Sequence, residues 1–217
     1  MNKLIKVAVD AMGGDNAPQK IIDGIELHHQ KSKKTFYRLF GDKNIIEPKI
    51  NKKSIDSSFF EIIHTEEKIK GEDSAFAAAK RGKNTSMWLA IESVKNRTSD
   101  IIISAGNTGA LLVIAKLNLK MIENIDKPAL SGLWPSKKGM SVVLDLGANI
   151  ECSDKNLIDF SIMGSSLFNS LFPEEKAKVA LLNIGSEEVK GNDVIKETYK
   201  KLNQIINKNF EFKGFIE

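Results

Sequence analysis

The sequence predicts an α/β fold, with a single domain over residues 1–217. The domain is expected to have three layers, in which helices cover both faces of a mostly parallel sheet. Short apolar runs of strand length alternate with segments of helical apolar spacing, and this alternation is typical of parallel sheets. Four of the strand-like runs end in polar loops that contain glycine. Because ligands bind beyond the carboxyl ends of parallel strands, we expect the four loops to gather at one edge of the sheet.

Composition and charge exclude several classes of protein. A hydrophobic content of 41% is sufficient for a packed core, which argues against global disorder. The net charge is +4, with 28 acidic residues interspersed among 32 basic ones, whereas a nucleic-acid binder more often carries a dense basic face. The single cysteine, Cys152, allows no intrachain disulfide and fits a reducing compartment.

The sequence also lacks membrane-spanning and export signals. The best apolar stretch, residues 110–119, is interrupted by Lys116, and Asp10 cuts short the first apolar run. The former is too short for a membrane span and the latter for a signal peptide. We therefore predict a soluble cytoplasmic protein, and attachment to a membrane surface is left open.

The first strand, loop and helix are predicted at the N-terminus. A short apolar run ends at Asp10, Gly13 and Gly14 interrupt the chain, and Pro18 precedes helical spacing over residues 21–27. Proline suits the first turn of a helix, because its missing N–H would have no intrahelical partner there. Such a loop lets a ligand approach the backbone, and helix N-termini favour anions. A tight turn without a ligand explains the same residues.

The middle of the chain supplies two further strands and three helices. An alanine-rich stretch favours one of these helices, and Gly82 ends it. Asn84 or Thr85 can cap the helix that follows. In order along the chain, we predict strands at 36–40 and 59–64 and helices at 44–50, 73–80 and 86–95.

A second strand, loop and helix follow at residues 100–119. Residues 100–104 form a strongly β-branched run, which is typical of a strand buried on both faces. The run enters the glycine-containing loop 105–109, and residues 110–119 have helical composition. The second half repeats the alternation, with extended segments at 128–134, 139–149, 178–183 and 210–215 and helices at 156–171 and 193–206.

The loops carry residues suited to binding an oxyanion. They match neither GxxxxGK[ST] nor GxGxxG nor HExxH, and the three histidines lack zinc-site spacing. No base beside Cys152 is identifiable, so we expect an inert thiol. Glycine, asparagine, threonine and serine instead offer N–H groups, amides and hydroxyls. Lys190 could add a cation to such a site. The cluster from Lys80 to Lys83 could also do so, although a solvated helix end explains the same residues.

Several of these stretches resemble one known family. Residues 7–15, followed by Ala17 and Pro18, resemble the opening signature of the bacterial phosphate acyltransferases of phospholipid synthesis, the PlsX family. Further stretches agree with that family in the same order, namely residues 83–87, 104–111, 145–149, 182–188 and 190–192. The match runs from Lys6 to Glu217 and so covers nearly the whole chain.

The resemblance implies a Rossmann-like fold, similar to those of phosphotransacetylase and of isocitrate and isopropylmalate dehydrogenases. It implies an enzyme that transfers a fatty acyl group from acyl-[acyl carrier protein] to inorganic phosphate, without a cofactor or a metal ion. The implied partners are acyl-[acyl carrier protein], phosphate and a second copy of the chain in a homodimer, with no nucleic acid. Peripheral contact with the inner face of the cell membrane is a further implication.

The resemblance also assigns roles to residues of the four loops. The predicted catalytic residues are Asn107, Thr108, Lys190 and Asn192. Substrate and phosphate binding falls on residues at the strand ends, namely Asp10, Gly13, Gly14, Asp15, Ser104, Gly106, Gly109, Asp145 and Asn149. Docking of the acidic carrier protein falls on Lys80, Arg81 and Lys83. The three aspartates are expected to orient loops by accepting backbone N–H groups, because a carboxylate that touched phosphate would repel it.

Two alternatives remain open from the sequence. Members of the family continue past the position that corresponds to Glu217, so the resemblance implies a domain that is incomplete at its C-terminus. Such a chain could be a non-catalytic remnant that binds acyl carrier protein. An ATP-dependent phosphotransferase is the other alternative, because Asp10 with Gly13 and Gly14 faintly resembles the phosphate loops of sugar kinases. Those loops connect antiparallel strands, however, whereas Pro18 favours a helix here.

Overall fold

The computed structural model describes residues 4–137, 139–187, 190–205 and 208–217. Its contacts divide the chain into two compact units, Met1–Lys120 and Met121–Glu217, which we call the first and second units. Each unit is described by itself below. The single domain expected over residues 1–217 stays a prediction.

The first unit alternates strands and helices as the sequence predicts. Its elements are β1 (Ile5–Asp10), α1 (Gln19–Lys31), β2 (Thr35–Gly41), α2 (Lys43–Ile50), a 3₁₀ turn (Ser57–Phe59), β3 (Phe60–His64), α3 (Ala75–Arg81), α4 (Ser86–Lys95), β4 (Ile101–Ser104) and α5 (Thr108–Leu119). Each strand therefore leads into a helix, directly or through a loop. Pro18 occupies the N-cap of helix α1, one residue before the first helical position.

The four strands of the first unit form one parallel sheet in the order β3-β2-β1-β4. Alternate residues of β1 pack on opposite faces: Val7 and Val9 join a core cluster with α1 and α2, whereas Ala8 packs with Ala90 of α4. The register places Asp10 opposite Ser104. The loops that leave β1 and β4 consequently start side by side at one edge of the sheet.

Strand β4 differs from its prediction. The β-branched run suggests burial on both faces, but Ile101 and Ile103 are 50% and 55% exposed, and only Ile102 packs into the core. The reason is the position of β4 at the edge of the sheet. The apolar cluster that covers β1 and β2 on the same face does not include these two isoleucines.

The second unit contains a hairpin and a strand–helix–strand segment. Its elements are β5 (Gly132–Ser136), β6 (Gly139–Val143), α6 (Asp154–Leu171), β7 (Ala177–Leu182), α7 (Asp193–Gln204) and β8 (Phe210–Ile216). Strands β5 and β6 pair antiparallel, whereas β7 and β8 pair in parallel. A core cluster built around Leu181, Leu202, Phe210 and Phe215 joins the parallel pair to α7.

The predicted α/β class, with a parallel sheet flanked by helices, is confirmed. The expectation that one sheet contains all four loop-bearing strands was wrong for the described residues, because β1 and β4 share a sheet while β6 and β7 belong to two others. Two predicted positions, Glu188 in the fourth motif and Ile206 at the end of α7, lie outside the described residues. Within the described part of the chain, no helix is long and apolar enough to cross a membrane.

Helices α5 and α6 both begin two residues earlier than the sequence suggests. Asn107 caps α5 by accepting the backbone N–H of Ala110, and Ser153 caps α6 by accepting that of Asn156. The capping residue, rather than the first apolar residue, therefore sets the start of each helix. The same rule holds for α4, whose cap is Thr85, one of the two predicted candidates.

Candidate active site

The loop after β1 (loop 1, residues 11–18) touches the loop after β4 (loop 2, residues 105–107). Three glycines lie at the contact. A Cβ atom on Gly106 would lie 3.3 Å from the Cα atom of Gly13, and one on Gly14 would lie 3.0 Å from the carbonyl carbon of Ala105. Gly14 also has a φ of +90°, which side chains disfavour. The two loops approach this closely because no side chains separate them.

A buried carboxylate joins the bases of these loops. Asp10, at the end of β1, is 1% exposed. Ser86 donates its hydroxyl to one carboxylate oxygen at 2.6 Å, and Ser104 donates to the other at 2.7 Å. Ser104 in turn accepts the backbone N–H of Gly106 at 3.1 Å. The end of β1, the start of α4 and loop 2 are thus connected through one side chain.

Burial governs the protonation of this carboxylate. Burial raises the pKa of Asp10, while hydrogen bonds from Ser86, Ser104 and the backbone at Met12 and Gly13 act in the opposite direction. All of these donors come from the protein itself, so Asp10 holds the loops rather than offering a surface to substrate. By contrast, Asp15 is exposed and accepts no such bond from the described residues.

The side chain of Asn107 is fully engaged by protein groups. Its oxygen accepts the N–H of Ala110 at 2.9 Å, and its amide donates to the carbonyls of Gly71 at 2.9 Å and Asp73 at 2.8 Å. Asn107 therefore caps α5 and fastens the turn that precedes α3. Little of this amide remains to contact a substrate directly.

The first turn of α5 offers unpaired backbone donors. Among the described residues, the N–H groups of Thr108 and Gly109 donate no hydrogen bond, and both residues are exposed. Free N–H groups at a helix N-terminus combine with the helix dipole to favour an anion. These donors lie beside the contact between loops 1 and 2.

The loop after β6 (loop 3, residues 144–153) is organised by Asp145. One carboxylate oxygen accepts the N–H groups of Leu130 and Ala148 at 3.2 and 3.1 Å. The other accepts the backbone and side-chain N–H groups of Asn149 at 2.9 and 2.8 Å. The Asn149 amide also donates to the carbonyl of Pro128. Asp145 thus makes the loop-orienting contacts expected of it.

Loop 3 also contains Cys152, the only cysteine of the sequence. Burial raises the pKa of the Cys152 thiol, and the charge of Asp145 acts in the same direction. A raised pKa keeps the thiol protonated near neutral pH. This agrees with the expectation that Cys152 is not a nucleophile.

The loop after β7 (loop 4, residues 183–192) carries Lys190 and Asn192. The ammonium of Lys190 pairs with Glu187 at 2.9 Å, and a side chain on Gly185 would collide with Lys190. Asn192 caps α7 by accepting the N–H of Ile195. Asn183 donates its amide to the carbonyls of Gly185 and Lys190. The described residues thus place Lys190 in an exposed ion pair and Asn192 in a cap.

The three predicted docking cations have different environments. Arg81 pairs with Asp73, whose two carboxylate oxygens each lie 2.9 Å from its guanidinium. The ammonium of Lys80 lies 5.9 Å from the centre of the Phe76 ring, which is 75% exposed. Lys83 is exposed beyond the end of α3. Among the described residues, Arg81 therefore has an ion pair that Lys80 and Lys83 lack.

Sequence patterns missed two residues of these loops. Ser86 lies in a stretch that the resemblance includes, but no spacing relates it to Asp10, 76 residues away. Asn183, directly after β7, lies in another such stretch, but the resemblance assigned it no role. The contact between Ser86 and Asp10 depends on tertiary structure, whereas Asn183 bonds two carbonyls of its own loop.

The connections of the loops contradict the ATP-dependent alternative. That hypothesis requires loops between antiparallel strands, but loop 1 runs from β1 into α1, and β1 pairs in parallel with β2. Loop 3 likewise runs from β6 into α6.

Residues 5–217 match the model of the family described as "Fatty acid synthesis protein". The phosphate acyltransferase of Pelagibacter ubique (strain HTCC1062) is 72% identical over all 217 residues, and that of Bradyrhizobium diazoefficiens is 40% identical over 214 residues. The chain spans 65% and 61% of the lengths of these two relatives.

Solved structures show the same fold at low sequence identity. A phosphotransacetylase from Streptococcus pyogenes superposes with a TM-score of 0.72 at 13% identity, over 99% of this chain and 68% of that one. The EutD phosphotransacetylase from Staphylococcus aureus gives a TM-score of 0.64 at 15% identity, over 100% and 69%. Fold, ordered loop motifs and family match agree, and the chain belongs to the fatty acid synthesis protein family, the PlsX phosphate acyltransferases.

Proposed function

We propose that this chain transfers a fatty acyl group from acyl-[acyl carrier protein] to inorganic phosphate, forming acyl phosphate and free carrier protein. The observation that carries the proposal is the contact of two glycine loops beside the unpaired N–H groups of Thr108 and Gly109. Relatives named phosphate acyltransferase, matched over 98–100% of the chain, support the same reaction.

The proposed site binds anions through its backbone. Phosphate needs several converging donors and tolerates little steric hindrance, and the glycines at 13, 14 and 106 place no side chain between the two loops. In this proposal Asn107 positions the first turn of α5, and the adjacent N–H groups contact phosphate or the thioester carbonyl. Its role is therefore to position donors, whereas the sequence suggested direct catalysis.

The reaction needs no nucleophile from the protein. A phosphate oxygen attacks the thioester carbonyl carbon, a C–O bond forms, and the C–S bond then breaks. The sulfur leaves as a thiolate and takes up a proton from solvent. The protein holds phosphate and thioester in contact and stabilises the developing oxyanion, for which each donor typically contributes about 3–4 kcal/mol.

Further parts of the proposal concern Lys190 and the partners. Lys190 would bind an anion once its pairing with Glu187 is released, and Asn192 would hold the start of α7. Lys80 and Lys83 would dock the acidic carrier protein. The implied homodimer is tested by light scattering, peripheral membrane contact by flotation with anionic vesicles, and the proposed cytoplasmic location by fractionation of cells.

The test is phosphate-dependent acyl-phosphate formation by the purified chain, trapped with hydroxylamine as a hydroxamate. Thr108 is the first residue of α5, a position at which proline is tolerated. Thr108→Pro removes one backbone donor, whereas Thr108→Ala keeps it. We expect Thr108→Pro to lower kcat about a hundredfold or more, and Thr108→Ala to remain close to the unmodified chain.

Two results would contradict this proposal. An unmodified chain that forms no hydroxamate above the phosphate-free control would overturn the assigned reaction. Equal activity of Thr108→Pro and Thr108→Ala would overturn the role of the α5 backbone. Circular dichroism of both variants verifies that the helix is intact.

A further inference from the structure

We infer that Asp10, held by Ser86 and Ser104, is a positioning residue that fixes the peptide between Ala105 and Gly106 in the proposed anion site. The inference rests on the proposed function. It assigns a role to Ser86. It also gives Asp10 and Ser104 an indirect role, in which they position the backbone, in place of the direct contact with substrate that the sequence predicted.

The first step is the direction of the hydrogen bonds. Each serine hydroxyl has a single proton to donate, and Ser86 and Ser104 both donate theirs to Asp10. Ser104 gives its proton to Asp10 and uses a lone pair to accept the N–H of Gly106. The hydrogen bonds thus run in one donor-to-acceptor direction, from Gly106 to Ser104 and from Ser104 to Asp10.

The second step is the orientation of one peptide plane. The N–H of Gly106 points to Ser104, so the carbonyl of Ala105 in the same plane points the opposite way. That carbonyl lies against Gly14, because a Cβ on Gly14 would collide with it. Gly106 tolerates many backbone conformations, so without Ser104 this peptide is free to rotate and to turn its carbonyl oxygen toward a bound anion.

The third step is the attachment of the carboxylate. Ser86 is 1% exposed at the start of α4 and donates to the second oxygen of Asp10. Asp10 is therefore bound from both sides, by β4 and by α4. No ion pair with a lysine or arginine reaches it among the described residues, so its position depends on these two hydroxyls and on the adjacent backbone.

A buried negative charge near an anion site has a competing effect. If repulsion dominated, removal of the charge would tighten phosphate binding. If positioning dominates, the same removal weakens binding, because the amide introduced by Asp10→Asn would donate to a serine and break this donor-to-acceptor direction. The two effects have opposite signs, so the direction of the change in the KM for phosphate decides between them.

The experiment compares four variants of the full chain. Asp10→Asn and Ser104→Ala are each expected to raise the KM for phosphate about tenfold, as for one lost charge-assisted bond. Ser86→Ala is expected to raise it about threefold, since the loop contact survives. Ser93→Ala is the matched control: Ser93 is also a buried serine of α4, but it bonds Ala90 and Ser99.

A second readout does not depend on activity. Amide hydrogen exchange at Gly106 is expected to accelerate in Asp10→Asn and Ser104→Ala, while the amides of α6 are unchanged. It can be measured even if the chain forms no acyl phosphate, so failure of the reaction is distinguishable from failure of this inference. If Asp10→Asn does not fold, the two serine variants carry both measurements.

Three results would overturn the inference. They are a KM for phosphate that is unchanged or lowered in folded Asp10→Asn, an effect of Ser93→Ala equal to that of Ser86→Ala, and unaltered exchange at Gly106 in Ser104→Ala. A larger KM together with a local acceleration of exchange supports it.

Discussion

Loops 1 and 2 are held by distant residues, whereas loops 3 and 4 are held mostly by near neighbours. Asp10 lies 76 and 94 residues from the two serines that bind it. Asp145 instead takes three of its four N–H donors from residues three and four positions away. The first pair of loops consequently takes its shape from the sheet, and the second pair takes its shape from turn chemistry.

The largest expected effect tests the close approach in loop 1. Gly14→Ala places a methyl group against the Ala105 carbonyl at a positive φ, and we expect it to lower the free energy of unfolding by about 2–4 kcal/mol. Unfolding in urea is followed by the fluorescence of Trp88, which lies in α4 of the first unit, in a Trp134→Phe background.

The matched control is Gly24→Ala in α1. A Cβ at Gly24 meets nothing within 4 Å, and alanine exceeds glycine in helix propensity by up to about 1 kcal/mol. We expect this variant to be as stable as the parent or more so. Equal destabilisation by the two substitutions would show that the loop contact is not the cause.

The second largest effect tests loop 3. Asp145→Ala leaves four N–H groups without their acceptor, and we expect a loss of about 2–3 kcal/mol. Asp145→Asn, which keeps one acceptor oxygen, should lose less. Trp134 lies in β5 of the second unit and reports the change in a Trp88→Phe background. An equal shift of the Trp88 signal in the Trp134→Phe background would contradict a local effect.

The same contrast explains what could be predicted from the sequence. Caps act within a few residues, so Thr85 could be predicted, and the α/β alternation followed from apolar spacing. The contact between Ser86 and Asp10 depends on the packing of α4 against β1, for which a single sequence carries no local signal. The exposure of Ile101 was mispredicted for a related reason, because a β-branched run indicates a strand but not whether both faces are covered.

A third prediction concerns the pH dependence of stability, which is expected to differ between the two units. Burial lowers the pKa of His29 below its usual 6.5, so the unfolded chain binds this proton more readily than the folded one. Stability of the first unit is therefore expected to fall as the pH drops below about 6.5, by at most about 1.4 kcal/mol per pH unit.

The histidines make this comparison direct. All three lie within the first 64 residues, so between pH 5.5 and 7 the Trp88 signal should follow pH while the Trp134 signal should not. His29→Leu removes the titrating ring and is expected to flatten the Trp88 response. A slope that survives in His29→Leu would assign the pH dependence to another group.

The smallest expected change in stability concerns loop 4. Lys190 and Glu187 are 44% and 55% exposed, and exposed pairs contribute about 0–1 kcal/mol. Glu187→Gln should therefore leave unfolding almost unchanged. Because it releases the ammonium, we expect it to lower the KM for phosphate about two- to threefold, and Lys190→Ala to raise that KM by a similar factor.

A second surface pair provides the matched control. Glu211 pairs with Lys213 in the same unit, and the two side chains are exposed to a similar extent. Glu211→Gln removes the same negative charge from the chain without releasing Lys190. If both glutamine variants lower the KM equally, net charge is responsible, and Lys190 has no specific role. If only Glu187→Gln lowers the KM for phosphate, the ion pair in loop 4 competes with phosphate for the Lys190 ammonium. Such a restraint is local, in contrast to the long-range contacts of Asp10 that hold loops 1 and 2.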